Sequence, residues 1–112
     1  MSARALIAGR LYRNPERKVS RAGRPYVAAV VMEGAGDSAT WWRIASFNDA
    51  ISDELVRLSD GDAISVSGAF TAQPYTKGGE TRVGYSLVVD KLISAGKARR
   101  REREDDRIYE SA

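Results

Sequence analysis

One segment alone carries the marks of a helix, and its position between strand-like runs limits the fold. Asn48 is placed to cap it, acidic residues enter its first turn, and Gly61 follows its end. Ile51, Leu55 and Leu58 recur at i, i+4 and i+7, a single apolar stripe, so the spacing predicts a helix over Asp49 to Leu58. Everything before and after it favours extended chain. Ala63 to Phe70 alternates strictly, with Ile64, Val66 and Phe70 on one side and small or polar residues on the other, the pattern of a half-buried strand.

Four further runs suit strands. Ala5 to Tyr12 is a compact apolar run that Arg13-Asn14-Pro15 is expected to stop. Tyr26 to Glu33 is short and rich in Val and Ala, and Gly34 to Ser38 then has turn chemistry. Thr40 to Phe47 contains Trp41, Trp42, Ile44 and Phe47, side chains that suit a pleated surface. Lys77-Gly78-Gly79-Glu80 forms a hairpin turn into the run from Arg82 to Ile93. Three strands, a helix and two strands make the chain all-β, with the layout of the five-stranded OB-fold, a Greek-key barrel with one helix between strands 3 and 4.

A chain of 112 residues fits one domain, predicted over residues 1–96, followed by a charged tail at 97–112. The tail holds six basic and five acidic residues and too little apolar surface to pack, so a disordered segment or a solvated helix is expected. No run is apolar enough to span a membrane, and a cytoplasmic location is the expectation. The sequence has no Cys and no His, which removes disulfides, zinc-thiolate sites, imidazole bases and the Ser-His-Asp triad together. No cofactor is implied. Asp49, Asp53 and Glu54 are the nearest approach to a metal-binding carboxylate group, but acids at a helix start complement its dipole, and an enzyme is not expected.

The net charge of +3 is modest and its distribution says more. Residues 1–43 carry eight basic and three acidic side chains, five of the basic ones between Arg13 and Arg24, whereas residues 49–62 hold five acids against Arg57.

Several residues in order along the chain resemble the bacterial single-stranded DNA-binding protein family. Gly9-Arg10-Leu11 followed by Asn14-Pro15-Glu16 is similar to its first-strand signature, and Gly23 with Val27-Ala28 to its second-strand entry. Trp41-Trp42-Arg43-Ile44-Ala45-Ser46-Phe47 resembles its third strand, W-x-R-x-x-x-F. The helix, Gly61 and Gly68 follow at the family's spacing, Tyr75 falls at its hairpin aromatic, and Arg82 to Val89 resembles the closing strand. The resemblance covers residues 3–93. Two departures stand out: the Gly34 to Ser38 loop is short and lacks an aromatic, and Arg107 to Ala112 does not match the family's acidic tip ending in Pro-Phe. The resemblance allows replication or repair proteins as partners, but without that tip it gives no support to their recruitment through the tail.

The resemblance implies a homo-oligomer, a tetramer or dimer, that binds single-stranded DNA with little sequence preference in replication, repair or recombination. Such binding stacks bases on aromatic rings and neutralises phosphates with Lys and Arg. Trp41, Phe47 and Tyr75 are the stacking candidates. Residues of like parity share a face of a strand, so Trp41, Arg43 and Phe47 are expected toward DNA, and Trp42 and Ile44 away from it, in the core or at a subunit contact. Arg13, Arg17, Lys18, Arg21 and Arg24 are expected in the basic loop between strands 1 and 2, with Lys77 and Arg82 flanking the other hairpin. The alternative is an OB-fold primosomal or replication adaptor in which contacts with other proteins dominate.

Overall fold

Alternating apolar residues on five strands turn inward and close on one another. The computed structural model describes residues 3–34 and 36–94; the predicted charged tail and the boundary at residue 96 lie outside the described residues. The elements are β1 (Ala3–Val19), β2 (Pro25–Glu33), a 3-10 turn (Gly36–Ser38), β3 (Thr40–Ser46), α1 (Asp49–Leu55), β4 (Ala63–Lys77) and β5 (Glu80–Ser94). The strands form a closed barrel in the order β1-β2-β3-β5-β4. All neighbours are antiparallel except β3 and β5. This is the predicted OB-fold, with its helix between the third and fourth strands.

The core follows the period of two. Ile7 and Leu11 of β1, Val27 and Val31 of β2, Ile44 of β3, Ile64 and Val66 of β4, and Leu87 and Val89 of β5 are all buried, and Leu92 joins them with its parity switched where the β4–β5 register shifts. Each such side chain contributes roughly 1.5–3 kcal/mol by leaving water. Leu55 of α1 joins this cluster from one end. There Ser52 Oγ donates to the Ser46 carbonyl at 3.1 Å, tying the helix to the end of β3. Four residues back along β3, Trp42 packs with Phe70 and Tyr85, ring centroids 5.6 and 5.1 Å away, and fills the interior there.

The first strand departs from expectation. It runs through Arg13-Asn14-Pro15, and the register with β2 shifts between Tyr12 and Glu16. Arg13 adopts φ 67°, a left-handed conformation that costs a side-chain-bearing residue energy, and the loop before β4 holds it there. Asp60 Oδ1 accepts from the Arg13 backbone N–H at 2.8 Å, Asn14 Oδ1 accepts from that of Asp60 at 2.8 Å, and the Leu11 carbonyl accepts from Gly61 N–H at 2.9 Å. The would-be turn is thus a bulge pinned by residues 46 and 47 positions away. Arg17 and Lys18 consequently lie on β1, and the loop proper is only residues 20–24.

The helix is capped as predicted, Asn48 Oδ1 accepting from Ile51 N–H at 3.0 Å, but it ends at Leu55. Tighter bonds from Arg57 N–H to Glu54 and from Leu58 N–H to Leu55 turn the chain, and Leu58 still packs on the core. Strands β4 and β5 outrun the barrel as a two-stranded ribbon, whose residues 71–80 are all exposed. Gly78 and Gly79, at φ 60° and 80°, make the two-residue turn expected between Lys77 and Glu80.

Candidate nucleic-acid interface

Residues pointing away from the core line up in rows across β1, β2, β3, β5 and β4. Arg10, Met32 and Trp41 make the first row. The second is Tyr12, Val30, Arg43, Ser86 and Thr71; the third is Glu16, Ala28, Ala45, Val88 and Ala69. Lys18 and Tyr26 begin the fourth, which Phe47 completes from just past the end of β3. Rows two residues apart along a strand are spaced by ~7 Å.

Side-chain size shapes this surface. Ala28, Ala45 and Ala69 make a low floor from which the exposed Val88 rises between the last two, while Tyr12, Arg43, Lys18 and Tyr26 stand around it, leaving an open cleft of about 560 Å³. Two aromatic pairs bracket the cleft. Tyr12 and Trp41 meet edge to face at 4.9 Å, and Tyr26 and Phe47 stack at 5.2 Å with 27° between their planes. From Trp41 to Phe47 the path along β3 is six residues, ~20 Å of extended chain.

Parity places Trp41 and Arg43 on this outer face, both exposed, while Ile44 is buried and Trp42 turns inward. Phe47 is half-buried against Tyr26. Tyr75 is away from the cleft on the ribbon, 46% exposed, its ring packed over Gly84. Lys77 and Arg82 share that ribbon, and Arg82 pairs with Glu80 at 3.5 Å.

The basic residues predicted for one loop are spread over several settings. Arg13 Cζ lies 5.0 Å from the Tyr12 ring centre, and Arg24 Cζ 4.6 Å from that of Phe47. Arg17 pairs with Asp53 of α1 at 3.3 Å, and Lys18 approaches Glu16 at 3.9 Å. Arg21 is exposed at the tip of the β1–β2 hairpin. Exposed pairs of this kind are worth little and exchange readily for other anions. Asp53, one of the carboxylates weighed for a metal, is engaged with Arg17, and among the described residues no acidic cluster could hold a metal ion.

Tyr12 and Tyr26 were not among the residues picked from sequence. Tyr26 shares parity with Ala28 and Val30, a signal that could have placed it outward; Tyr12 needed the register with Val30, which the sequence does not carry.

No protein-family model and no curated protein matches the sequence. Solved structures do match. The S. cerevisiae mitochondrial single-stranded DNA-binding protein Rim1 superposes with a TM-score of 0.68 at 16% identity, over 85% of this chain and 96% of that one. A Plasmodium falciparum SSB in complex with ssDNA gives 0.61 at 14% identity, over 81% and 92%. The small single-stranded DNA-binding protein of Streptomyces coelicolor gives 0.62 at 14% identity, over 83% and 94%. The fold is that of the single-stranded DNA-binding proteins. At these identities the likeness is one of architecture, and it extends over nearly the whole of each neighbour.

Proposed function

We propose that this chain is a non-enzymatic protein that binds single-stranded DNA with little sequence preference. The observation that carries the reading is the outer sheet face. Two aromatic pairs flank an alanine-floored cleft with Arg43 and Lys18 at its sides. Such a face offers stacking surfaces to bases and cations to phosphates, which is how single strands are bound without reading their sequence. Three structural neighbours are single-stranded DNA-binding proteins, one of them solved with ssDNA, and they support it. The process served is DNA replication, repair or recombination, in the cytoplasm.

Titration with oligo-dT at two salt concentrations tests the reading. Tryptophan emission is expected to fall on binding, and affinity to drop with salt as counterions are released. Trp41→Ala is expected to weaken binding by ~1–3 kcal/mol, the range for one base-aromatic stack. Binding that ignores this substitution would favour the adaptor alternative.

The chain is further proposed to act as a homo-oligomer. On the outer side of β1, β4 and β5, Leu6 is 75% and Ile93 49% exposed. Leu6 lies opposite Ser67, and Ile93 opposite Ser65, itself paired with Ala8, so the two stand on one outer face, two residues apart in register across β4. Beside them Arg4 donates to Asp90 and holds its carboxyl below the usual range. A second copy covering this area would remove both side chains from water. Leu6→Asp is expected to shift the mass measured by light scattering toward the monomer while leaving the circular dichroism spectrum intact. An unchanged mass would refute this interface.

A further inference from the structure

Phe47 is not open to a base in the free protein. Tyr26 stacks beside its ring, and the Arg24 guanidinium lies over it at 4.6 Å. Trp41 differs: it is 47% exposed and meets Tyr12 edge to face. The two ends of the cleft therefore present one ready stacking surface and one that a cation covers.

We propose that Arg24 is a cap on the Phe47 stacking subsite, closing it beside Tyr26 in the free protein and opening it when a single strand arrives. The proposal rests on the single-stranded DNA reading above. The arginine backbone is fixed: its N–H donates to Ser20 Oγ at 3.1 Å, and its carbonyl accepts from Ser20 N–H at 2.9 Å. Opening thus requires only rotation of an exposed side chain. A guanidinium suits both states, since its plane stacks on rings and its donors match phosphate oxygens. On a surface its contact with a ring is weak, worth about 2- to 5-fold in an equilibrium, and a phosphate contact replaces it. Arg24 serves as a placeholder that keeps water off Phe47 until a base takes over the ring and the next phosphate takes the cation.

A cap and a simple phosphate ligand differ in their response to salt. If Arg24 leaves the ring for a phosphate, Arg24→Ala makes the slope of log K against log salt shallower by roughly 0.7. It also removes the competitor for Phe47, so binding of oligo-dT is expected to be weaker at low salt yet about 2- to 5-fold tighter near 1 M, where the ionic contribution vanishes. In a Phe47→Leu background the high-salt gain should disappear and the loss of slope remain. Weaker binding at both salt concentrations, unaffected by Phe47→Leu, would reduce Arg24 to a phosphate contact and overturn the proposal. A second arm needs no DNA: the Arg24 δ-methylene protons are expected upfield from the ring current of Phe47, and in Phe47→Leu they should return to ordinary shifts. Absence of that shift overturns the cap while leaving single-strand binding intact. A wild-type protein that shows the shift but ignores oligo-dT defeats the binding reading itself, and the subsite with it.

Discussion

Trp42→Ala is expected to cost about 3 kcal/mol of stability and to leave the outer face of the proposed interface in place. The indole fills the barrel interior against Phe70 and Tyr85, and truncating a packed aromatic typically costs ~3–5 kcal/mol. The lower end applies because Trp42 is partly exposed. In a domain of this size that loss lowers the melting temperature by roughly 12 °C or more. Its Nε1–H is buried with no hydrogen-bond partner among the described residues, a situation that costs ~1–3 kcal/mol. Trp42→Phe removes that donor while keeping most of the ring, so it should be tolerated far better than Ala. Thermal denaturation of both variants, with oligo-dT titration well below the transition, checks the assignment. A Trp42→Ala protein with an unchanged melting temperature and lost affinity would mean that the two faces of β3 are reversed.

That assignment was legible because it depends only on the period of two along β3. The same is true of the alternation at Ile64 and Val66 and of the Asn48 cap, all of them local patterns. What the sequence hid depends on residues far apart. Arg13-Asn14-Pro15 has the chemistry of a turn, and the Asp60-Gly61-Asp62 loop, reaching back from the other side of the helix, keeps the strand going. The consequence reaches the candidate site: with β1 extended, Lys18 stands opposite Tyr26 at the cleft instead of in a loose loop. Tyr12 was hidden for the same reason, because cross-strand register decides that it stands beside Val30 and meets Trp41. The helix was overestimated by one turn because Leu58 continues the apolar stripe from a non-helical turn. Burial of Leu58 satisfies the same pattern without helical geometry.

Gly68→Ala is expected to be the most damaging single methyl in the barrel. The glycine sits at the register shift between β4 and β5. A Cβ there would lie 1.8 Å from the Val88 carbonyl oxygen and 2.7 Å from its carbon, backbone atoms that no rotamer can move aside. Relieving the clash requires β5 to shift by more than 1 Å, given that Cβ atoms keep at least 3.0 Å from such neighbours. Val88 is also paired with Ala45 of β3, so the shift strains the one parallel seam that closes the barrel. Displacement there disturbs Ala45 and Ala69, the floor of the cleft, so folding and single-strand binding should fail together. A loss of more than ~4 kcal/mol, or no soluble folded protein, is the expected result, since a backbone clash inside a packed barrel is among the few mechanisms that produce so large an effect. Gly84→Ala is the matched control: its Cβ would meet the Tyr75 ring at 3.6 Å, an ordinary contact, and should cost little. Equal melting temperatures for the two variants would show that β4 and β5 can part at Gly68 without opening the barrel.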